Sequence, residues 1–211
     1  MNTLQQVRFI LKPVVFLACL VPLALAIAGA CGVAGQSLGA NPAEALLEFF
    51  GIWGLRFLLL GLAVTPLRKL TGIGWIARFR RMVGLFGAFY VGLHFTVYLV
   101  LDQGLALGPI LEDIVKRPYI TVGFAAVLIL TAMTLTSTAS ARRRLGRKWQ
   151  KLHYGTYAAG ILGVWHFWWQ VKKDITEPLI YAAILAALLS LRIAWKLKRR
   201  PAPRATATGV A

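Results

Sequence analysis

Apolar residues along this chain gather in six runs separated by short polar stretches: Val14–Gly35, Ala45–Thr65, Met82–Leu101, Tyr119–Ala139, Leu152–Gln170 and Pro178–Lys196. Each is close to the roughly 20 residues a helix needs to cross the hydrocarbon core of a bilayer. Little chain is left over, so the pattern predicts an all-α integral membrane protein, a six-transmembrane-helix bundle with short loops. Residues 1–200 are expected to form one domain, and 201–211, rich in Ala, Thr and Pro, a disordered cytoplasmic tail. No internal repeat or second domain is visible in the sequence. Arg8 and Lys12 precede the first run and Ala28, Gly29 and Ala30 lie late in it, as in a secretory signal. At about 22 residues the run exceeds the roughly 7–15 of a signal core, so it is read as an uncleaved helix. Cys19 and Cys31, both within that run, are expected to pack rather than pair.

Composition agrees: 58% of the 211 residues are hydrophobic and only 15% are charged. With a mean hydropathy of +0.68 the chain is not a soluble enzyme. A formal charge of +17 would suit a nucleic-acid binder, but the placement of the charges argues for a membrane topology. Arg8 and Lys12, then Arg68, Lys69, Arg78, Arg80 and Arg81, then Arg142, Arg143, Arg144, Arg147, Lys148 and Lys151, then the stretch Lys196 to Arg204 flank one face of the bundle. The other connections hold no basic residue (Gln36–Ala43), or Lys116 and Arg117 beside Asp102, Glu112 and Asp113, or Lys172 and Lys173. The positive-inside rule then predicts a multi-pass protein with both termini cytoplasmic and an even number of spans; the family resemblance given below implies the bacterial inner membrane. The basic loops serve as anchors on anionic lipid, and no nucleic-acid partner is expected.

Three histidines, His94, His153 and His166, fall in or at the end of these runs. An imidazole in hydrocarbon must be paired or ligated, which makes each a functional candidate. His94 lies thirteen residues past Arg81, or about 20 Å of helix. His166 lies seventeen residues past Trp149 in the fifth run, which has the same direction. The two can therefore share a level in the outer half of the membrane, where a haem edge-on between helices three and five would take one axial imidazole from each. Gly84, Gly87, Gly160 and Gly163 thin those helices, and Gly87 falls within about 20° of the His94 face. Glycines in such helices also serve close packing.

His153 precedes His166 by thirteen residues, about 20 Å nearer the cytoplasm, with an ideal-helix offset of about 140° between the side chains. A second haem there needs a bend in the helix; the alternative is that His153 binds phosphate or backbone in its basic loop. Arg56 sits in the middle of the second run, where an unpaired cation costs at least about 2.5 kcal/mol, so it requires Glu48 or a haem propionate as partner. Trp149, Trp165, Trp168 and Trp169 are read as an interfacial belt.

Longer motifs carry a family resemblance. Val64-Thr65-Pro66-Leu67-Arg68, Arg80-Arg81-Met82-Val83-Gly84-Leu85, His94-Phe95, Lys116-Arg117-Pro118-Tyr119-Ile120-Thr121-Val122-Gly123, Leu135-Thr136-Ser137-Thr138 and the segment Leu145 to His153 are similar over residues 8–197 to the MsrQ (YedZ) family. These are haem-binding membrane subunits of bacterial periplasmic methionine sulfoxide reductase systems, within the ferric-reductase-like transmembrane superfamily. The resemblance implies haem b, one or two per chain, with iron on His94, His166 and, for a second haem, His153. It also implies a bound FMN and electrons drawn from the quinone pool or a cytoplasmic flavin reductase. These would pass to the periplasmic molybdopterin subunit MsrP, which repairs oxidised envelope proteins, and the chain itself would have no substrate-reducing site. The superfamily pattern carries two histidines on each of two helices, and here Arg80 and Arg81 stand where the fourth would fall. Arg80, Arg81 and Arg147 are then candidates for the FMN phosphate. No nucleotide-binding domain follows the sixth run, so reductant is expected from another protein. Other functions compatible with the residues alone are a self-contained transmembrane ferric or quinone reductase, and a transporter or assembly factor without redox chemistry.

Overall fold

A computed structural model describes residues 3–33, 37–171 and 174–198, and every regular element among them is helical. Lys172, Lys173 and the expected tail over 201–211 lie outside the described residues. The helices are α1 (Thr3–Ala30, with a π-helical turn at Val7–Leu11), α2 (Pro42–Thr71) and α3 (Gly74–Asp102, opening in a 3-10 turn and closing in a π turn). They continue as α4 (Leu107–Lys116), α5 (Pro118–Leu135), α6 (Ala139–Leu145), α7 (Arg147–His153), α8 (Gly155–Gln170) and α9 (Thr176–Lys198).

Local chemistry sets the boundaries. Asn41 caps α2 by accepting from the Glu44 amide at 3.3 Å, with Pro42 in the first helical position, where no amide hydrogen is needed. Gly72 ends α2 at φ +73°, a left-handed conformation that glycine adopts without a Cβ penalty. Pro118 opens α5 in the same way, and Gly146 at φ +49° separates α6 from α7.

Five helices, α1, α2, α3, α5 and α9, are long and apolar enough to cross a membrane. Their outward residues are apolar, including Leu60, Leu128 and Ile193, as a lipid-facing surface requires. The fifth run departs from the expectation. It is interrupted at Tyr154, so α8 has only 16 residues, about 24 Å. The sequence analysis also expected only a loop where the amphipathic α4 lies. There Asp113 turns inward and accepts from Tyr98 Oη at 3.3 Å, Gln103 Nε2 at 3.2 Å and Arg117 Nε at 3.1 Å. Lys116 pairs with Glu112 at 2.6 Å. The two basic residues of this connection are thus offset by carboxylates, as their placement in the sequence implied.

α2 packs most extensively on α3, and α5 on α8; contacts of α3 with α5 and of α2 with α8 close a four-helix ring. α1 lies outside against α2 and α3, and α9 against α8 and α2. Between α1, α2 and α3 the core is aromatic. Tyr90 is fully buried, stacks on Phe57 at 5.2 Å, and inserts its hydroxyl into the α1 ladder. It accepts from Leu23 N at 3.1 Å and donates to Cys19 O at 2.8 Å. Cys19 is buried, Cys31 is exposed, and both are free thiols.

Candidate functional site

His94 projects from α3 and His166 from α8 into the middle of this ring. Their ring centres are 6.1 Å apart and the rings are nearly perpendicular, at 78°. Each imidazole is held from behind. His94 Nδ1 lies 2.8 Å from Leu47 O on α2, and His166 Nδ1 lies 2.7 Å from Tyr119 O on α5. A carbonyl oxygen only accepts, so Nδ1 is the protonated nitrogen in both rings, and in a neutral ring Nε2 keeps its lone pair. This is the tautomer a metal-ligating histidine needs.

Two helix positions make the approach feasible. Side chains tilt toward the helix N-terminus, so residue i+4 covers the carbonyl of residue i. Four residues after Leu47 comes Gly51, and four after Tyr119 comes Gly123. A Cβ on Gly51 would stand 3.0 Å from His94 Nδ1, and one on Gly123 would stand 2.8 Å from His166 Nδ1. Each histidine therefore sits in a notch that any other residue would fill.

The two arrangements are one motif used twice. Leu47, Gly51 and His94 correspond to Tyr119, Gly123 and His166 with a constant shift of 72 positions, and both hydrogen bonds span 47 residues. The α2–α3 pair and the α5–α8 pair thus hold their histidines with the same local spacing. Under the same shift, His153 corresponds to Arg81.

The pair suits an iron with equatorial ligands of its own. Metal–imidazole bonds of about 2.0–2.1 Å place two opposed ring centres about 6 Å apart. No group of three or more His, Cys, Asp or Glu that could hold a bare metal occurs among the described residues. Two axial imidazoles suffice for a haem, whose porphyrin supplies the other four ligands.

His153 ends α7 at the opposite end of the fifth run. Its Nδ1 is 3.0 Å from Trp149 O, its ring stacks on the Trp149 indole at 3.8 Å, and its buried Nε2 has no partner. Between His153 and α8 stands Tyr154, at φ −68° and ψ −16°.

Among the described residues Arg56 makes no ion pair with Glu48. Its Nε donates to Tyr181 Oη at 2.8 Å, and its guanidinium lies 4.9 Å from the centre of the Trp53 ring. Arg80, Arg81 and Arg147 are all exposed at the same basic end, and Arg80 donates to Thr65 Oγ1 at 2.6 Å. Gly87 does not open space for a ring. A Cβ there would meet the Leu58 side chain at 3.1 Å and its backbone nitrogen at 3.2 Å, so Gly87 brings α2 and α3 together. Gly160 and Gly163 likewise face Leu62 and Leu55, and only Gly84 borders open space.

Sequence reasoning passed over Gly51, Gly123 and Arg192. Arg192 interrupts the sixth run just as Arg56 interrupts the second, and that signal was available. The glycines carried none until the facing histidines were placed.

Residues 50–164 match the model of the ferric reductase-like transmembrane component family. A Xanthomonas euvesicatoria pv. vesicatoria protein, named protein-methionine-sulfoxide reductase heme-binding subunit MsrQ, is 52% identical over 165 residues, covering 78% of this chain and 76% of its own. The Bordetella pertussis protein of the same name is 46% identical over 197 residues, covering 92% of this chain and 94% of its own. No solved structure matches the chain.

Proposed function

The chain belongs to the ferric-reductase-like transmembrane family, among the relatives named MsrQ, and on that premise we propose that it is the haem b subunit that carries electrons across the bacterial inner membrane to a periplasmic methionine sulfoxide reductase. The observation that carries this reading is the partly buried pair His94 and His166, with ring centres 6.1 Å apart and each Nδ1 committed to a carbonyl.

In this reading α8 is the fifth of six spans, both termini are cytoplasmic, and the histidine pair lies toward the periplasmic side. His94 and His166 hold the iron through Nε2. Leu47 O and Tyr119 O fix the tautomer and the ring planes, and the surrounding helices exclude water. A bound b-type haem supplies one-electron transfer at this position. His153, with its free Nε2 in a dry setting, is the candidate ligand of a second haem nearer the basic end. About 20 Å of helix separates it from His166, which is long enough to call for an intermediate carrier. Reductant enters at the basic end, from the quinone pool or from flavin reduced by a cytoplasmic reductase, with FMN bound among Arg80, Arg81 and Arg147. The acceptor is the periplasmic subunit MsrP. Arg56, anchored by Tyr181, remains a candidate for a propionate through its other donors.

The test is spectroscopic. Protein purified from haem-supplemented cells should show a reduced b-type α band, and the reduced form should be reoxidised on adding MsrP with methionine sulfoxide. Reoxidation by ferric iron but not by MsrP would support the self-contained reductase instead.

A further inference from the structure

α4 is a short helix fastened at both ends. Residues 103–106 join it to the end of α3 at Asp102, and Arg117 alone joins it to α5 at Pro118. Its 10 residues make about 15 Å of helix, so it stays at the end of the bundle where α3 stops and α5 begins. Around its axis the surface divides into three. On a wheel of 100° per residue, Ile110, Asp113 and Ile114 occupy an arc of about 100°. The bundle covers that arc: Ile110 and Asp113 are buried, and Asp113 holds Tyr98, Gln103 and Arg117. Leu107, Leu111 and Val115 fall together on the next arc, within about 80°, and are between 62% and 81% exposed. Glu112 and Lys116 lie on the third, both exposed and paired with each other.

An apolar arc set between a protein-facing arc and a polar one is what a helix needs to lie beside a bundle in a membrane surface, apolar side down and polar side up. We propose that α4 lies in the plane of the bilayer surface, with Leu107, Leu111 and Val115 among the lipid chains just below the headgroups and Glu112 and Lys116 turned to water. The chain ahead of the helix agrees. Gly104 and Leu105 take left-handed conformations, at φ +55° and +61°. A leucine enters that region against the crowding of its Cβ, yet Leu105 is 63% exposed and packs on nothing that would hold it there. Insertion of that side chain into lipid offsets the backbone strain. Val100 and Leu101, in the last turn of α3, are exposed as well, so apolar surface runs from the span into α4. Charge does not seat the helix. Glu112 and Asp113 are met by Lys116 and Arg117, and with these four charges cancelled, attraction to anionic headgroups contributes little. Neither the haem nor the direction of electron flow enters this placement. For the histidine pair its consequence is mechanical: the helix that lipid seats grips Tyr98, four residues after His94, and leads into α5, whose Tyr119 O holds His166.

The test is site-directed spin labelling of the full chain in phosphatidylcholine liposomes. Exposed Cys31 is changed to Ser, and buried Cys19 is left in place. A nitroxide is attached at one position at a time, on Leu107→Cys, Leu111→Cys, Glu112→Cys, Val115→Cys and Lys116→Cys. All five positions are exposed, so a label there disturbs no packing. Power saturation then compares oxygen, which concentrates in the bilayer, with a nickel chelate confined to water. Oxygen should relax the labels at Leu107, Leu111 and Val115 severalfold more than nickel does, and the order should reverse at Glu112 and Lys116. Adding phosphatidylglycerol should leave this pattern unchanged. Greater access of nickel than of oxygen at all five positions would put the apolar arc in water and overturn the placement. Little access of either at Leu107, Leu111 and Val115 would mean that a second copy or another protein covers the arc, and would overturn it as well. An arc that enters lipid only when phosphatidylglycerol is present would show that charge seats the helix, again contrary to the placement.

Discussion

His166 Nδ1 stands 2.7 Å from Tyr119 O, across a helix face kept bare by Gly123. The same relation joins His94 to Leu47 over Gly51 at 2.8 Å. The two glycines give the proposal its most specific local test. Alanine in a helix interior is favoured over glycine by about 1 kcal/mol, so Gly123→Ala should not loosen α5 by itself. Its Cβ would stand 2.8 Å from Nδ1 and 2.9 Å from Cε1 of His166, and the ring must turn away. Haem content per protein, read by pyridine haemochrome, should fall severalfold in Gly123→Ala and less in Gly51→Ala, where the contact is 3.0 Å. Full occupancy with an unshifted spectrum in both would show that the notches do not position the ligands.

Tyr90 supports the fold rather than the site. Tyr90→Phe removes a hydroxyl bonded to both Leu23 N and Cys19 O and should cost about 1–3 kcal/mol, partly recovered if the α1 ladder closes. A thermal melt in detergent should show a lower midpoint at unchanged haem content. An unchanged midpoint would mean that the ladder closes completely.

Topology follows from the separation of charge. Reporter fusions at Ala40 and Gly108 should read periplasmic, and those at Ala141 and after Lys198 cytoplasmic. A periplasmic reading after Lys198 would remove the six-span arrangement and reverse the depth assigned to the histidine pair.

In the proposed electron path His153 stands between entry at the basic end and exit at the His94–His166 pair. His153→Ala should slow reduction of the protein by quinol or reduced flavin and leave its oxidation by the periplasmic partner unchanged, in stopped-flow traces of each half-reaction. Wild-type rates in both would make His153 a structural residue stacked on Trp149.

Much of the bundle was legible in the sequence because the membrane forces long apolar runs, and because histidines at equal depth on helices of like direction have few reasons to coincide. The break at Tyr154 was not, since no proline marks it. α4 escaped because a ten-residue helix is too short to read as a span. The shared spacing of Leu47, Gly51 and His94 with Tyr119, Gly123 and His166 links three positions only, and its meaning lies in contacts between helices rather than along the chain. Arg56 was expected to meet an anion, whereas its hydrogen bond goes to Tyr181, 125 positions away, and nothing local pointed to it.

The most direct measurement of the central claim is the low-temperature electron paramagnetic resonance and optical spectrum of the oxidised, haem-loaded protein beside His94→Ala and His166→Ala. Two imidazoles on one iron predict a low-spin ferric signal in the wild type. Each alanine variant should lose that signal together with most of the haem, since a single axial ligand holds the iron weakly. A low-spin signal that survives in either variant at full haem occupancy would contradict the pairing of His94 with His166.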